Sequence, residues 1–447
     1  MPARPGTGEL PLPLFRLLNA VFIMFLSISI IFAVSILFNA ELSASDVMEL
    51  TLLEAYEMAL ESNHDIRSAA ESVRQGELLK KQAVTVLFPK LTATAGYLDL
   101  KYPDGTGSDG SNWGINLNQS VYNGGRVWVA KRGAEYTLNA ALHGLEFARQ
   151  SVLMDLIARS NELLSAEDLL KVSEKRVERV QEQLRQAQAR VDLGDMPRTS
   201  VLAAQVALSS VQLESVEAQK GVALARTRLS NLIGLDGQVR VQVPEFVRLY
   251  DEMILSDLIK QAMNDRPDLA QSRELVRISE EQAELTRRNG LPDVDITGSY
   301  TQYSDDDTFA PESQIGINLT WPFFQGGLVK LQTEESLSRV RQAQEDYGSQ
   351  VDAASLEVEE VWLTLRTLQV QEQLVVDNLD TAKENHRLAK ARFDLGGASS
   401  LEVLDAEEDL AEAENLEVNH KYNTRTARAA LLYSIGTLDL SVFGPGK

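Results

Sequence analysis

Cysteine is absent from the 447 residues, aromatic side chains make up only 6%, and acidic residues outnumber basic ones by 65 to 43. Without cysteine the chain has no disulfide framework, thiolate nucleophile, cysteine metal site or lipid-modified cysteine. The net charge of −22 argues against nucleic acid as a partner, since phosphate binding needs a cationic face. So few aromatic residues suit narrow seams between helices better than one large globular core.

The first residues have the pattern of a secretory signal. Arg4 and Arg16 precede an apolar run over residues 17–38, and small and polar residues follow as far as Ser45. This order predicts a signal peptide over residues 1–45, cleaved near Ala40 or Ser45. The apolar run is also long enough to cross a bilayer, so an uncleaved anchor helix is the alternative.

The remainder of the chain repeats itself, which predicts two copies of one structural unit, residues 46–243 and 244–447. Segment 50–97 aligns without a gap on segment 253–300, and later motifs recur in the same order. The clearest of these motifs are Gly-Ile-Asn-Leu at 114–117 and 316–319, an aromatic residue, an amide and Gly-Gly at 122–125 and 324–327, and Asp-Leu-Gly at 192–194 and 394–396.

Each copy contains a pair of segments with a period of two, at about 90–122 and 293–324, separated by a polar loop that we place at 104–112 in the first copy. Small and polar residues alternate there with apolar ones, namely Ile115, Leu117 and Val121 in the first copy and Ile315, Ile317, Leu319, Trp321 and Phe323 in the second. One apolar face, one small and polar face, and aromatics at the strand ends predict transmembrane β-strands. A half-buried soluble hairpin is the alternative.

Helical periodicity occupies the rest of each copy. It predicts an opening helix at 49–81, a long helix without proline at 126–191 and again at 328–393, and a returning helix at 199–233 and again at 400–435. Each long helix would extend about 100 Å, the length of two shorter helices laid end to end. We therefore expect a layer in which stacked pairs of short helices lie beside continuous long ones. Glu372 and His386 interrupt the apolar seam of the second long helix.

Four strands per chain cannot close a barrel, and an open strand edge leaves backbone groups without partners in lipid. Two copies would give eight strands, with the interior filled by side chains, whereas three would give twelve and room for a channel. The small polar residues of the inner face favour the open channel. The fold class is thus a mixed α+β membrane protein, with a transmembrane antiparallel β-barrel and a long α-helical coiled-coil barrel, assembled as a homotrimer.

The chain resembles the TolC-like outer membrane efflux protein family, the outer membrane factors. The motifs that carry the resemblance are Leu-Thr-Leu-Leu-Glu-Ala at 50–55, Trp-Pro-Phe-Phe-Gln-Gly-Gly at 321–327, Phe-Asp-Leu-Gly at 393–396 and Leu-Glu-Val-Leu-Asp-Ala at 401–406. The resemblance implies a passive exit duct of a tripartite efflux pump or type I secretion system. It also implies that the protein lies in the outer membrane with a long periplasmic extension, and that its partners are a periplasmic adaptor protein and an inner membrane transporter. It implies no enzymatic activity and no cofactor.

The resemblance also implies a periplasmic gate, in which Glu402 and Asp405 form stacked acidic rings. Their three-residue spacing places both on one face of a helix, and a merely solvated acidic face is the alternative. The family's gate is locked by a tyrosine, an arginine and an aspartate. The corresponding positions here, Phe393, Ala398 and Ser200, lack the necessary groups, which leaves Arg198 as a candidate substitute.

Two short turns match the hairpin tips that contact the adaptor in the family. Their residues are Leu193, Gly194 and Asp195 in the first copy and Leu395, Gly396 and Gly397 in the second. An ordinary helix C-cap would also place glycine there. For the whole chain, the competing interpretation is a membrane-anchored periplasmic coiled-coil scaffold without a pore.

Overall fold

The computed structural model describes residues 48–101, 103, 107–235, 237, 239–244, 254–305 and 308–443. The predicted signal peptide, residues 1–45, lies outside the described residues, and the boundary of the repeats at 243/244 stays a prediction. The elements are β1 (Met48–Thr51), α1 (Leu52–Ser62), α2 (His64–Ala83), β2 (Lys90–Lys101), β3 (Gly107–Asn123), α3 (Arg126–Asp192), α4 (Arg198–Ile233), β4 (Val239–Gln242), α5 (Leu255–Asp265), α6 (Pro267–Arg288), β5 (Asp293–Asp305), β6 (Thr308–Thr320), α7 (Leu328–Asp394) and α8 (Ser400–Ser434).

The helices form one layer with the predicted arrangement. At the end next to the strands, α3 packs between α2 and α6, and α6 also contacts α7. At the opposite end α3 packs between α4 and α8, and α8 also contacts α7. The stacked pair α2 and α4 therefore flanks the continuous helix α3, and the stacked pair α6 and α8 lies between α3 and α7. Both continuous helices have 67 residues, which corresponds to about 100 Å.

The prediction of a single opening helix at 49–81 was wrong, because two caps divide this segment. Thr51 accepts a hydrogen bond from the backbone N–H of Glu54, and the Glu54 carboxylate accepts one from Thr51 in return, which starts α1 with a capping box. Asn63 then caps α2 by accepting from the backbone N–H groups of Asp65 and Ile66. Ahead of α1, β1 pairs with β4 in a two-stranded sheet that the sequence reading missed.

The stacked helices meet end to end through direct contacts. The Ser62 hydroxyl, at the end of α1, donates to the carbonyl of Ile233 at the end of α4, with 2.7 Å between the oxygens. In the second repeat, Arg266 Nη1 donates to the carbonyl of Ser434 at the end of α8, at 3.0 Å. Gly436 follows there with φ +75°, and a Cβ at this position would lie 2.7 Å from the backbone N and Cα of Arg266. The two columns are thus joined through backbone groups at their breaks.

The main apolar core surrounds these breaks, at mid-length of the layer. Its fully buried members include Leu156 and Ile157 of α3, Leu229 of α4, and Leu431 and Leu432 of α8. Packing here combines residues from both repeats, because α3 contacts elements of each. The layer is therefore stabilised most strongly at its middle, and its two ends are narrower seams.

Arg266 is the charged residue buried at the second break. It donates to both carboxylate oxygens of Asp268 at 3.0 and 2.8 Å and to Glu357 at 2.7 Å. Burial alone would lower the pKa of Arg266, but its hydrogen bonds to Asp268 and Glu357 outweigh burial and raise it. The guanidinium stays charged and ties α5, α6, α7 and the end of α8 together.

The four long strands form one antiparallel sheet in the order β2-β3-β5-β6. Strand β3 begins at Gly107, so much of the predicted loop 104–112 is strand instead. Strand β6 ends at Thr320, so Trp321 and Phe323, which were predicted to lie on the strand, follow it instead. Within the described residues β2 and β6 are each hydrogen-bonded on one side only. No helix among the described residues is long and apolar enough to cross a membrane.

Candidate functional site

The sheet has one apolar face that is exposed over all four strands. Cross-strand partners on this face include Leu91 with Leu117, Ala93 with Ile115, Ile115 with Tyr300 and Ile296 with Ile317. Their exposure is large for apolar residues, with 71% for Leu91 and 74% for Ile317. An extended apolar surface of this kind indicates contact with lipid or another protein.

The opposite face of the sheet is lined by amides and hydroxyls. Asn116 Nδ2 donates to Thr94 Oγ1 at 3.5 Å, and Asn318 Nδ2 donates to Thr297 Oγ1 at 3.0 Å. These pairs occupy equivalent places in the two repeats and leave further polar groups available to water. The predicted separation of an apolar and a polar face is therefore present in the sheet.

A β-bulge interrupts the predicted apolar–polar alternation at the end of β3. Ser120 pairs with Asp295 and Tyr122 pairs with Val294, so Val121 has no partner in the ladder. The extra residue shifts the phase, and Tyr122 rather than Val121 takes the register position of the apolar face. Simple period-two counting could not detect it, since a bulge inserts one residue without changing composition.

Two arginines connect each hairpin to a helix of the other repeat. Arg126, at the start of α3, forms an ion pair with Asp293 of β5 and donates to Asn289 at 3.3 Å. Arg288, at the end of α6, donates to the carbonyl of Gly124 at 3.0 Å. The contacts run from the first hairpin to the second repeat, so the sheet and helices of the two repeats are held in fixed register.

At the far end of the helical layer, the predicted gate acids Glu402 and Asp405 are both exposed, one turn apart on α8. Glu402 also has a local role: its carboxylate accepts from the backbone N–H of Ser399 at 3.2 Å, within a capping box that starts α8. Arg392 lies 3.6 Å from the same carboxylate. Ser399-x-x-Glu402 is a capping-box pattern that the sequence itself contains.

The three predicted lock positions make no hydrogen-bonded lock with one another. Phe393 is fully buried, and the guanidinium of Arg190 lies over its ring, 4.2 Å from the centroid. Ser200 and Ala398 are partly buried, and Arg198 is exposed. Among the residues with described side chains, Arg198 has no ion-pair partner. The Arg190–Phe393 contact joins the ends of α3 and α7, and the absence of a hydrogen-bonded lock at these three positions agrees with the prediction from their side chains.

Both hairpin tips combine a regular helix end with exposed apolar residues. Gly194 and Gly396 have φ values of +82° and +77°, and the amides of Asp195 and Gly397 donate to the carbonyls of Arg190 and Arg392. This is the glycine C-cap that was the alternative interpretation. The leucines before these glycines, Leu193 and Leu395, are nevertheless 76% and 90% exposed. The tips therefore also present apolar side chains to any partner.

Sequence reasoning missed a buried ionic cluster near the predicted gate acids Glu402 and Asp405. Glu407 of α8 is 3% exposed. It accepts from Arg179 Nε of α3 at 2.7 Å, and His386 Nε2 of α7 lies 3.0 Å from its other oxygen. Arg179 also donates to Glu414 at 2.9 Å. The interruption of the apolar seam at His386 was the signal, but a single sequence does not show which residues meet it.

The cluster borders a cavity of about 230 Å³ between α3, α7 and α8. Burial alone would lower the pKa of Arg179, but the hydrogen bonds and charges of Glu414 and Glu407 raise it above its usual value. Nearby on α3, a hydrogen bond from Arg185 lowers the pKa of Glu182 to about 2. Within the described part of the chain no group of acidic or histidine side chains has the arrangement of a metal site.

Known proteins are similar to this chain in sequence. The family described as outer membrane efflux protein matches residues 55–235 and 258–437. Outer membrane protein TolC of Salmonella enteritidis is 24% identical over 87% of this chain and 82% of its own length. The alkaline protease secretion protein AprF of Pseudomonas aeruginosa is 22% identical over 88% of this chain and 86% of its own length.

Solved structures share the fold. The CmeC outer membrane channel of Campylobacter jejuni has a TM-score of 0.76 at 20% identity and covers 87% of this chain and 86% of its own. The predictions of family, of location in the outer membrane, and of an exit duct for efflux or secretion are thereby confirmed. Because both repeats match the family profile, the chain belongs to the outer membrane efflux protein family.

Proposed function

We propose that three copies of this chain form the passive outer membrane exit duct of a tripartite efflux pump or type I secretion system. The duct would work with a periplasmic adaptor and an inner membrane transporter. The observation that carries the proposal is the four-stranded sheet, which has two edges bonded on one side only and one exposed apolar face. Such a sheet is stable in lipid only when other strands complete it.

Three copies supply the missing strands by pairing β6 of one chain with β2 of the next. The resulting twelve-stranded barrel places the apolar face against lipid and the amide and hydroxyl face around a lumen. The continuous helices α3 and α7 would extend the lumen by about 100 Å. A side-by-side closure of the helical layers would form the α-helical barrel.

We further propose that the hairpin end of this tube is the gate. Three copies of the exposed pair Glu402 and Asp405 would line the axis as acidic rings, which favour cations. Arg198, exposed at the start of α4, is the proposed partner of a neighbouring copy in place of the missing lock. Leu193-Gly194-Asp195 and Leu395-Gly396-Gly397 are the proposed contacts of the adaptor.

The test is conductance of the detergent-purified protein in planar bilayers, together with its migration as a heat-labile trimer. Glu402→Ala with Asp405→Ala should reduce the preference for cations, because the ring charge is lost. Glu408→Ala with Asp409→Ala, two further exposed acids of α8, is the matched control. A monomer or dimer without conductance would support the pore-free scaffold instead, and equal effects of both double variants would refute the acidic rings.

A further inference from the structure

We propose that Arg179 and His386 are positioning residues that hold the acidic segment of α8 closed through the buried carboxylate of Glu407. We call Arg179, His386, Glu407 and Glu414 the α8 latch. The inference rests on the proposed channel function, since it concerns how the gate stays shut. Glu407 lies two positions after the gate acid Asp405, so its restraint also fixes where the acidic rings stand.

The latch joins three helices at one carboxylate. Arg179 reaches Glu407 Oε1 from α3, and His386 approaches Oε2 from α7. His386 Nε2 lies 3.0 Å from this Oε2 atom, but the oxygen is fully buried and no hydrogen bond of regular geometry reaches it from the described residues. A buried carboxylate oxygen without a donor is strongly unfavourable, so Glu407 depends on the Arg179 hydrogen bond to its other oxygen and on the nearby imidazole of His386. Separation of α8 from α3 would therefore break the charged hydrogen bond to Arg179, and separation from α7 would remove the imidazole from the carboxylate.

The internal duplication supplies a control for whether the fold requires these charges. The register set by the Gly-Gly turns at 124–125 and 326–327 holds through Gly234 and Gly436. In this register every latch residue has a neutral counterpart, namely Thr381 for Arg179, Leu184 for His386, Gln205 for Glu407 and Gln212 for Glu414. Of the two helix pairs that the latch joins, α7–α8 corresponds to α3–α4, which forms in the first repeat without these charges. The counterpart of the α3–α8 pair would join α7 to α4 of a neighbouring copy.

The gate acids, like the latch carboxylates, have uncharged counterparts in the first repeat. Glu402 and Asp405 correspond to Ser200 and Ala203 in the first repeat. The gate acids and the two latch carboxylates, Glu407 and Glu414, therefore occur together on the same stretch of α8. Buried ion pairs contribute little net stability compared with well-packed neutral residues. The latch carboxylates stand on α8 beside the gate acids and are replaced by amides at the equivalent positions of α4, which points to a role at the gate rather than in general packing.

The surrounding charges show why the latch is strong only when complete. Arg179 faces two carboxylates, Glu407 and Glu414, and the cavity beside it is lined by Glu178 and Glu182 of α3 and by Lys390 of α7. Arg185 already holds Glu182 in an exposed pair. Removal of Arg179 alone would leave Glu407 and Glu414 of α8 without the cation that they share, while Glu178 and Glu182 of α3 remain beside the same cavity. The two helices would then repel each other at the closed gate.

The first experiment converts the latch into its neutral counterpart. The variant Arg179→Thr, His386→Leu, Glu407→Gln, Glu414→Gln places at each position the residue found at the equivalent position of the other repeat. Because neutral residues at three of these positions are compatible with the packing of the α3–α4 pair, we expect the variant to fold, insert and assemble. Its ratio of open to closed channels in planar bilayers should rise about tenfold or more, equivalent to about 1.4 kcal/mol of lost closed-state stability.

Two single variants separate positioning from structure. His386→Gln retains a donor near Glu407 and should stay close to the parent, whereas His386→Leu should open the channel. Arg185→Met, which removes an exposed arginine on the same helix, is the control and should leave the gate unchanged. A correctly assembled neutral variant, or His386→Leu, with the parent's open-to-closed ratio would overturn the latch.

The outcome also distinguishes this inference from the proposed function. If the parent protein forms cation-preferring channels but latch variants gate normally, the latch alone is wrong. If the parent forms no channel and no trimer, the proposed function itself fails and the latch with it.

Discussion

Substitution of Gly436 by alanine tests whether the stacked helices meet as the structure shows. Gly436 ends α8 with φ +75°, a conformation that costs a residue with a Cβ about 1–2 kcal/mol. The new Cβ would also lie 2.7 Å from the backbone N and Cα of Arg266. Forced overpacking of this kind adds about 1–3 kcal/mol. Since both obstacles are backbone atoms, no side-chain rotation relieves them.

Gly194→Ala is the matched control for this substitution. Gly194 has nearly the same backbone conformation, with φ +82°, but nothing lies within 4 Å of the Cβ that alanine would add. It should therefore lose only the conformational part, about 1–2 kcal/mol. Gly436→Ala should lose about 2–5 kcal/mol, the sum of both parts.

The assay is guanidinium-induced loss of helical circular dichroism in detergent, with the three proteins compared at identical concentration. A lower midpoint at an unchanged slope measures lost stability without a change of the unfolded state. Equal midpoints for Gly436→Ala and Gly194→Ala would show that Arg266 does not abut Gly436, and the end-to-end stacking of α8 on the α5–α6 break would be wrong.

Two further predictions concern the helical seam and the sheet. Burial alone would raise the pKa of Asp168, but hydrogen bonds from Lys171 and Tyr422 lower it. Its stabilisation is therefore complete above the ordinary aspartate pKa near 3.9 and is lost as pH falls through the lower native value. Asp168→Asn should cost about 1.5–3 kcal/mol at pH 7, and its unfolding midpoint should approach the parent's at pH 3; a constant difference would contradict this. On the apolar face Ile317→Arg should cost about 2–4 kcal/mol, whereas Asn318→Arg on the polar face should keep stability and change ion selectivity. Equal loss of folded trimer in both would refute the assignment of the faces.

Much of this architecture could be predicted because the sequence contains two copies of the structural unit, and each copy supports the interpretation of the other. The periods of two and 3.6 locate strands and long helices, and the Gly-Gly turns fix their joints. The boundaries of the long and returning helices were predicted to within one residue, as at Asp192 and Asp394. The break at Asn63 was missed because the apolar stripe continues across it, and only the side-chain caps of Thr51 and Asn63 reveal two helices.

The region of the proposed gate was less predictable for a different physical reason. Glu402 and Asp405 could be predicted as site residues from their spacing and from the family resemblance, but the latch depends on contacts between residues far apart in sequence. Arg179 and Glu407 are separated in the chain by three strands and four helices, and neither stands out by its sequence neighbours. The small sheet of β1 and β4 escaped notice likewise, since each strand has only four residues.

The one-sided edges of β2 and β6 also constrain how the protein is made. A lone subunit entering the bilayer would carry two rows of dehydrated amides and carbonyls, each costing several kcal/mol. If three copies complete the barrel as proposed, assembly must precede or accompany insertion, and the unassembled subunit would remain in the aqueous compartment with the apolar face of its sheet exposed. Ile315, at 88% exposure, marks the surface that a chaperone would have to cover during that wait.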